Sequence, residues 1–177
     1  MQKTILIIVA VALVGGCAST GFDLKDPNQA KIEKAVRAEL GIPEGELTQS
    51  DMDRVTHLNL DGMQLTDVRS LENLPQLKDL GLKMNPLTHL KNLEKLSQLE
   101  RLHFDSNNIT DYTVTKKLPK LIVLTLARTQ LTDVKWLEDL KQLKELHLHG
   151  NPHLTKAQVD QLQKALPNCN VTYIPAR

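Results

Sequence analysis

From Val55 onward the apolar residues of the chain keep a fixed rhythm. Val55, Leu77, Leu99, Leu121 and Leu143 stand 22 residues apart, and each opens the pattern L-x-x-L-x-L-x-x-N-x-L. LKDLGLKMNPL, from Leu77 to Leu87, is the cleanest copy; LERLHFDSNNI and LKELHLHGNPHL repeat it. The L-x-L core alternates at the period of a β-strand, so Leu80 and Leu82 turn inward while Gly81 turns outward. A strand this short cannot bury its apolar face alone. Stacked on copies of itself, it forms a parallel sheet over a continuous leucine core. Asn85, Asn107 and Asn151 stand where the strand turns away, a place where a side-chain amide satisfies backbone groups that the turn leaves open. Met63 and Thr129 fill that place in the first and fourth units.

The back half of each unit carries a second apolar set: Val68, Leu71 and Leu74 in TDVRSLENLPQ, and Leu90, Leu93 and Leu96 in THLKNLEKLSQ. Eleven residues leave room for a turn or two of helical or 3₁₀ structure on a convex side. The third unit departs, with Thr115 in place of leucine and Tyr112 in the place of Val68 and Leu90, and predicts a local irregularity. Ahead of the repeats, Asp26-Pro27 opens a helix with Ile32, Val36 and Leu40 on one stripe, and Gly41 closes it as a left-handed cap. Thr48 and Asp51 are spaced as the capping box of a second short helix. This pair covers the apolar end of the first repeat. Behind the repeats, Thr155 and Gln158 cap a helix with Val159, Leu162 and Leu166 on its stripe; Pro167 stops it, and Val171 to Ile174 reads as a closing strand.

The repeat resembles the leucine-rich repeat, in five copies in phase. Together with the helical cap, the arrangement over about residues 26–174 is similar to the internalin-type leucine-rich-repeat proteins of bacteria. The fold expected is therefore an α/β leucine-rich-repeat solenoid, a right-handed horseshoe arc with a parallel concave β-sheet, a helical N-cap and a helix-strand C-cap. The resemblance implies a protein that binds other macromolecules, often proteins. Internalin partner surfaces are rich in concave aromatics, and the concave face of this chain has none, which argues against binding of a host receptor.

The first residues follow a different pattern. Lys3 is followed by the unbroken apolar run ILIIVAVALV from Ile5 to Val14, and then by Gly15, Gly16 and Cys17. The run has the length of a secretory h-region and falls short of the ~20 residues a membrane-spanning helix needs. Val14-Gly15-Gly16-Cys17 resembles the lipobox of bacterial lipoproteins, which implies cleavage before Cys17 and a diacylglycerol on its sulfur. Two or more acyl chains, palmitate among them, hold a protein stably where one does not. Ala18, where aspartate would favour the inner membrane, implies the outer membrane of a Gram-negative cell. The domain plan is a signal peptide at 1–16, a lipidated tether at 17–26, a helical cap at 27–54, repeats at 55–154 and a C-terminal cap at 155–177.

Composition narrows the function. The chain has 22 basic and 21 acidic residues, and Lys3 is the only charge before Cys17, so the body is neutral. That argues against nucleic acid as a partner, which needs a basic surface. Aromatics make up 3 % of the chain, so the core is aliphatic. The two cysteines, at opposite ends, offer no disulfide framework and no cysteine zinc site, and Cys169 is expected to pack as a small apolar residue. No nucleophile elbow, phosphate-binding glycine loop or paired-acid cleft is present, so the expectation is a non-enzyme without a cofactor.

The outward strand positions form three ladders: His57, Asp79, Arg101, Val123, Glu145; then Asn59, Gly81, His103, Thr125, His147; then Asp61, Lys83, Asp105, Ala127, His149. With Arg128 beside them, they make the candidate partner-binding face. His147 and His149 with His103 and Asp105 suggest a weaker metal-binding strip, interrupted by Thr125 and Ala127, which are poor ligands. Val114 and Trp136, at one repeat place in consecutive units, form a candidate convex patch whose tryptophan either anchors a partner or covers the third unit. The functional expectation is a lipid-anchored envelope monomer, held at the membrane, that binds a protein or peptide. The alternative is a structural component that packs in the envelope without a dedicated ligand.

Overall fold

Six three-residue strands stack in chain order into one parallel sheet: β1 (His57–Asn59), β2 (Asp79–Gly81), β3 (Arg101–His103), β4 (Val123–Thr125), β5 (Glu145–His147) and β6 (Asn170–Thr172). The computed structural model describes residues 21–174, so Cys17, the apolar run before it and Ala18 lie outside the described residues. The register is in phase throughout, with His57, Asp79, Arg101, Val123, Glu145 and Asn170 side by side. The central leucines Leu58, Leu80, Leu102, Leu124 and Leu146 are buried, as are Leu60, Leu82, Phe104, Leu126 and Leu148 two places on. Each such side chain contributes roughly 1.5–3 kcal/mol by leaving water. The fold is a leucine-rich-repeat solenoid. Its closing strand begins one residue earlier than the sequence pattern suggests, at Asn170, whose N–H donates to Lys144 O at 2.7 Å.

Each of the first five strands turns away through one left-handed residue. Gly62, Met84, Ser106, Arg128 and Gly150 occupy the same place in the five units, with φ between 54° and 68°. Only the first and last units use glycine, the residue without a steric penalty there. In the second, third and fifth units the next residue is the repeat asparagine, and it fastens its unit to the one before. Asn151 Nδ2 donates to Leu126 O at 2.8 Å and Leu148 O at 3.0 Å, while its Oδ1 accepts from the N–H groups of Thr129 and Leu131, both at 3.1 Å. Asn85 reaches back in the same way to Leu60 O and the Leu65 N–H. Asn107 makes only the donor half: its Nδ2 bonds Leu82 O and Phe104 O, but its Oδ1 has no partner. The cause lies one unit earlier. Gln64 and Gln130 adopt a second left-handed conformation that aims the following N–H at the asparagine. Pro86 holds that place in the second unit, and its ring forbids positive φ.

On the convex side the chain forms 3₁₀ turns at Arg69–Asn73, Leu93–Lys95, Thr113–Lys117 and Lys135–Asp139. The irregular one is in the second unit and not the third. In the first, third and fourth units an aspartate (Asp67, Asp111, Asp133) accepts the N–H two residues on and starts a five-residue turn. His89 stands in that place in the second unit; the turn starts later and is three residues long, behind a left-handed Asn92 (φ 65°). The third unit keeps a regular backbone. Tyr112 fills the buried leucine place, and the buried Thr115 hydroxyl donates to Tyr112 O at 2.7 Å.

Both ends are closed. Helix α1 (Pro27–Leu40) has Asp26 as its N-cap and Gly41 (φ 67°) as its C-cap, buries Ile32 and Val36, and packs against β1. Helix α2 (Gln49–Met52) carries the Thr48–Asp51 capping box. Asn28 of α1 accepts the Thr66 N–H at 2.9 Å and so ties the cap to the first unit. Helix α3 (Lys156–Ala165) has its Thr155–Gln158 box and buries Val159 and Leu162. Cys169 is buried beneath it, and desolvation, with the charge of Glu145 adding to it, pushes its thiol up to about 11.

Candidate binding face

The first two outward ladders lie on the strands as expected and the third, from Asp61 to His149, lies two residues past their ends, but the side chains are not equally free. Asp61 Oδ1 accepts the Lys83 N–H at 2.8 Å, and Asp105 Oδ1 accepts the Ala127 N–H at the same distance. Asn59 Oδ1 accepts the Asp61 N–H at 2.9 Å. These three serve the backbone as much as the surface. The Asp61 carboxylate also explains Gly81, since a Cβ there would lie 2.8 Å from Asp61 Oδ1. The glycine leaves a depression of about 360 Å³, bordered by His57, Asn59, Asp79 and His103.

His103 is half-buried between the first and second halves of the sheet. Its Nε2 lies 3.6 Å from Asp79 Oδ1, and its Nδ1 pairs with Thr125 Oγ1 at 3.4 Å. Burial lowers its pKa, Lys83 adds to the effect, and Asp79, Asp105 and Asp61 oppose it. The balance favours the neutral ring. Lys83 Nζ lies 3.4 Å from Asp105 Oδ2. His147 pairs with Thr172 Oγ1 at 3.2 Å and lies 3.8 Å from Glu145 Oε2. The His149 ring meets it edge-on, with centroids 6.0 Å apart, and its Nδ1 has no partner.

Between these two histidine groups the floor drops. Val123, Thr125 and Ala127 of β4 and its extension are short, and they line a trough of about 530 Å³ walled by Arg101, His103 and Asp105 on one side and Glu145, His147 and His149 on the other. Arg101 and Lys144, at the end where Ile122 also lies, are both exposed and form no ion pair among the described residues. Two unpaired cations beside an apolar floor suit a ligand that joins a carboxylate to an apolar group. The strip that suggested a metal does not close: among the described residues no group of three or more His, Cys, Asp or Glu side chains is placed to hold an ion.

Arg128 lies at the rim, on the left-handed turn, where its Cγ packs so closely that a Cβ on Gly150 would come within 2.9 Å of it. On the convex side Val114 and Trp136 are both half-buried against the core. The indole stacks on Tyr112 (5.7 Å between centroids, 6° between planes), which itself tilts against Phe104 at 5.9 Å. The repeat pattern placed Val114 beside Trp136 but gave no sign of this aromatic stack.

Residues 119–164 match the family described as Leucine Rich repeats (2 copies). Among solved structures, an internalin (inlF) from Listeria monocytogenes is 24 % identical with a TM-score of 0.71, over 83 % of this chain and 43 % of that one. An internalin C2 from the same species is 25 % identical with a TM-score of 0.72, over 83 % of this chain and 65 % of that one. A leucine-rich-repeat protein of Leptospira interrogans is 28 % identical with a TM-score of 0.60, over 72 % of this chain and 34 % of that one. The chain thus spans less than two thirds of each of these structures. No curated protein sequence is a match.

Proposed function

We propose that the chain is a lipid-anchored, non-catalytic protein of the bacterial envelope whose concave trough binds a protein or a peptide. The observation that carries the reading is the trough over β4, where unpaired Arg101 and Lys144 stand beside an apolar floor of Ile122 and Val123. Six strands at about 4.8 Å spacing give a strip about 24 Å wide, enough for an extended segment or the edge of a small domain. The anchor rests on Lys3, the apolar run from Ile5 to Val14 and the Val14-Gly15-Gly16-Cys17 sequence. Ala18 favours the outer membrane, and the chain is read as a monomer.

The test is co-purification from membranes of cells expressing the tagged chain, wild type against Arg101→Ala/Lys144→Ala/Glu145→Ala. All three side chains are exposed, so the fold tolerates their loss. Loss of envelope proteins that wild type retains supports the reading; an unchanged set rejects it. Cys17→Ala tests the anchor separately, by release of the chain from the membrane fraction. A structural role without a ligand is favoured by one observation, the commitment of Asn59, Asp61 and Asp105 to the sheet's own backbone. An unchanged co-purification set is the outcome that role expects.

A further inference from the structure

We infer that the groove between the third and fourth units, on the side where the chain rises from the strands to the convex turns, binds a neutral saccharide. The groove holds about 480 Å³ and is built from residues 108–113 and 129–133, with Trp136 at its border. A volume of that size fits one or two sugar rings and lies in the range of small-ligand sites.

Three observations converge on it. First, Tyr112 and Trp136 line the groove and Phe104 backs them from the core, so three of the chain's five aromatic residues cluster here in a core that is otherwise aliphatic. The other units hold Val68, Leu90 and Val134 in the place of Tyr112, and Ser70, Asn92 and Val114 in that of Trp136. Packing the solenoid thus requires neither ring. The indole is fixed by its stack on Tyr112 yet stays half-exposed, so a ligand that lies against it orders no loose side chain. Second, Tyr112, the ring on which the indole stacks, is 3 % exposed and held in the core, so the aromatic wall of the groove is rigid. Third, the polar side chains around the ring are uncommitted. Asn108, Thr110, Gln130 and Thr132 make no side-chain hydrogen bond among the described residues, and Asp133 uses only Oδ1 in starting its turn.

An aromatic surface beside amides, hydroxyls and a free carboxylate oxygen matches the two faces of a pyranose. The ring's C–H groups lie on the electron-rich aromatic face, and its hydroxyls pair with the polar rim. Two carboxylates in adjacent units repel an anionic sugar, which selects a neutral one.

Trp136 is the chain's only tryptophan, so its fluorescence and its indole N–H resonance report on this groove alone. The full chain, held in a zwitterionic detergent, is titrated with maltotetraose, cellotetraose and chitotetraose up to about 10 mM, a range that captures weak millimolar affinity. A saturable change with at least one of them is expected. A response to chitotetraose alone assigns an N-acetylated glycan, and one to the other two assigns an unacetylated polysaccharide. Asn108→Ala/Thr110→Ala keeps the reporter and the fold, verified by an unchanged melt, and weakens binding at least tenfold. Arg101→Ala on the concave face leaves it unaltered. A silent panel, a double variant that binds as wild type does, or loss of the response in Arg101→Ala overturns the assignment.

Discussion

Removing Asn151 and removing Asn107 are the same chemical change at the same repeat place, yet they should not cost the same. Asn151 makes four backbone hydrogen bonds, two as donor and two as acceptor, and takes a further contact from the Thr129 hydroxyl at 3.3 Å. Asn107 makes two good ones, both at 2.8 Å, because Pro86 keeps the acceptor side empty. Both side chains are at most 5 % exposed, so water does not replace the lost bonds. At about 1 kcal/mol net per neutral hydrogen bond, Asn151→Ala costs about 4 kcal/mol and Asn107→Ala about 2 kcal/mol. In a chain of this size that corresponds to Tm losses of roughly 8–16 °C and 4–8 °C. Urea unfolding followed by circular dichroism measures both, with an unchanged m-value showing that the same cooperative unit unfolds. If Asn107→Ala costs as much as Asn151→Ala, the explanation through Pro86 is wrong.

Three further outcomes follow from the geometry. His89→Asp supplies the carboxylate that starts the convex turn in the other units, so it should lengthen the short turn at Leu93–Lys95 and raise stability by about 0.5–1 kcal/mol, read as a higher urea midpoint. Hydrogen bonds from Asn28, Thr48 and Thr113 hold Asp26, Asp51 and Asp111 below the usual carboxylate range, and the Lys116 ammonium does the same for Asp139. Lowered folded-state values mean that this stability is complete above the unfolded value of about 4 and is lost as pH falls through the folded values. The melting temperature should therefore hold between pH 5 and 7, on the order of the plateau expected for such groups, and drop below about 4. A melt that stays flat to acid would contradict it. Cys169, buried with its thiol pushed up to about 11, should react with a thiol reagent at pH 8 at least about 100-fold more slowly in the folded chain than in urea, since both thiolate fraction and access fall; equal rates would show an open cap.

The strands, the turn asparagines and the helix caps were legible because each repeats a local rule: period 2 in L-x-L, a fixed 22-residue phase, and an N-cap three residues ahead of its partner. The irregular turn was misplaced because Tyr112 and Thr115 are unusual as core residues, whereas backbone regularity depends on a surface aspartate. The signal was present in the series Asp67, His89, Asp111, Asp133. The left-handed place before each asparagine was marked by Gly62 and Gly150 in phase, but Met84, Ser106 and Arg128 between them concealed it. On the concave face the ladders could be read from the strand period. The engagement of Asp61 and Asp105 could not, because it depends on a side chain curling onto the next unit's N–H, which alternation does not encode. The Tyr112–Trp136 stack was hidden for a related reason, since it joins two different repeat places across a unit boundary.

A photo-crosslinking residue placed at Val123, on the floor of the trough, tests the central claim directly. In intact cells it should capture a discrete envelope protein, and the same residue at exposed Lys120, on the turn that precedes β4, should not. Added Arg101→Glu/Lys144→Glu should abolish the Val123 adduct while leaving the melting temperature within about 2 °C of the parent, as expected for surface changes. A Val123 probe that captures nothing, or an adduct indifferent to the charge reversal, would contradict a binding role for this face.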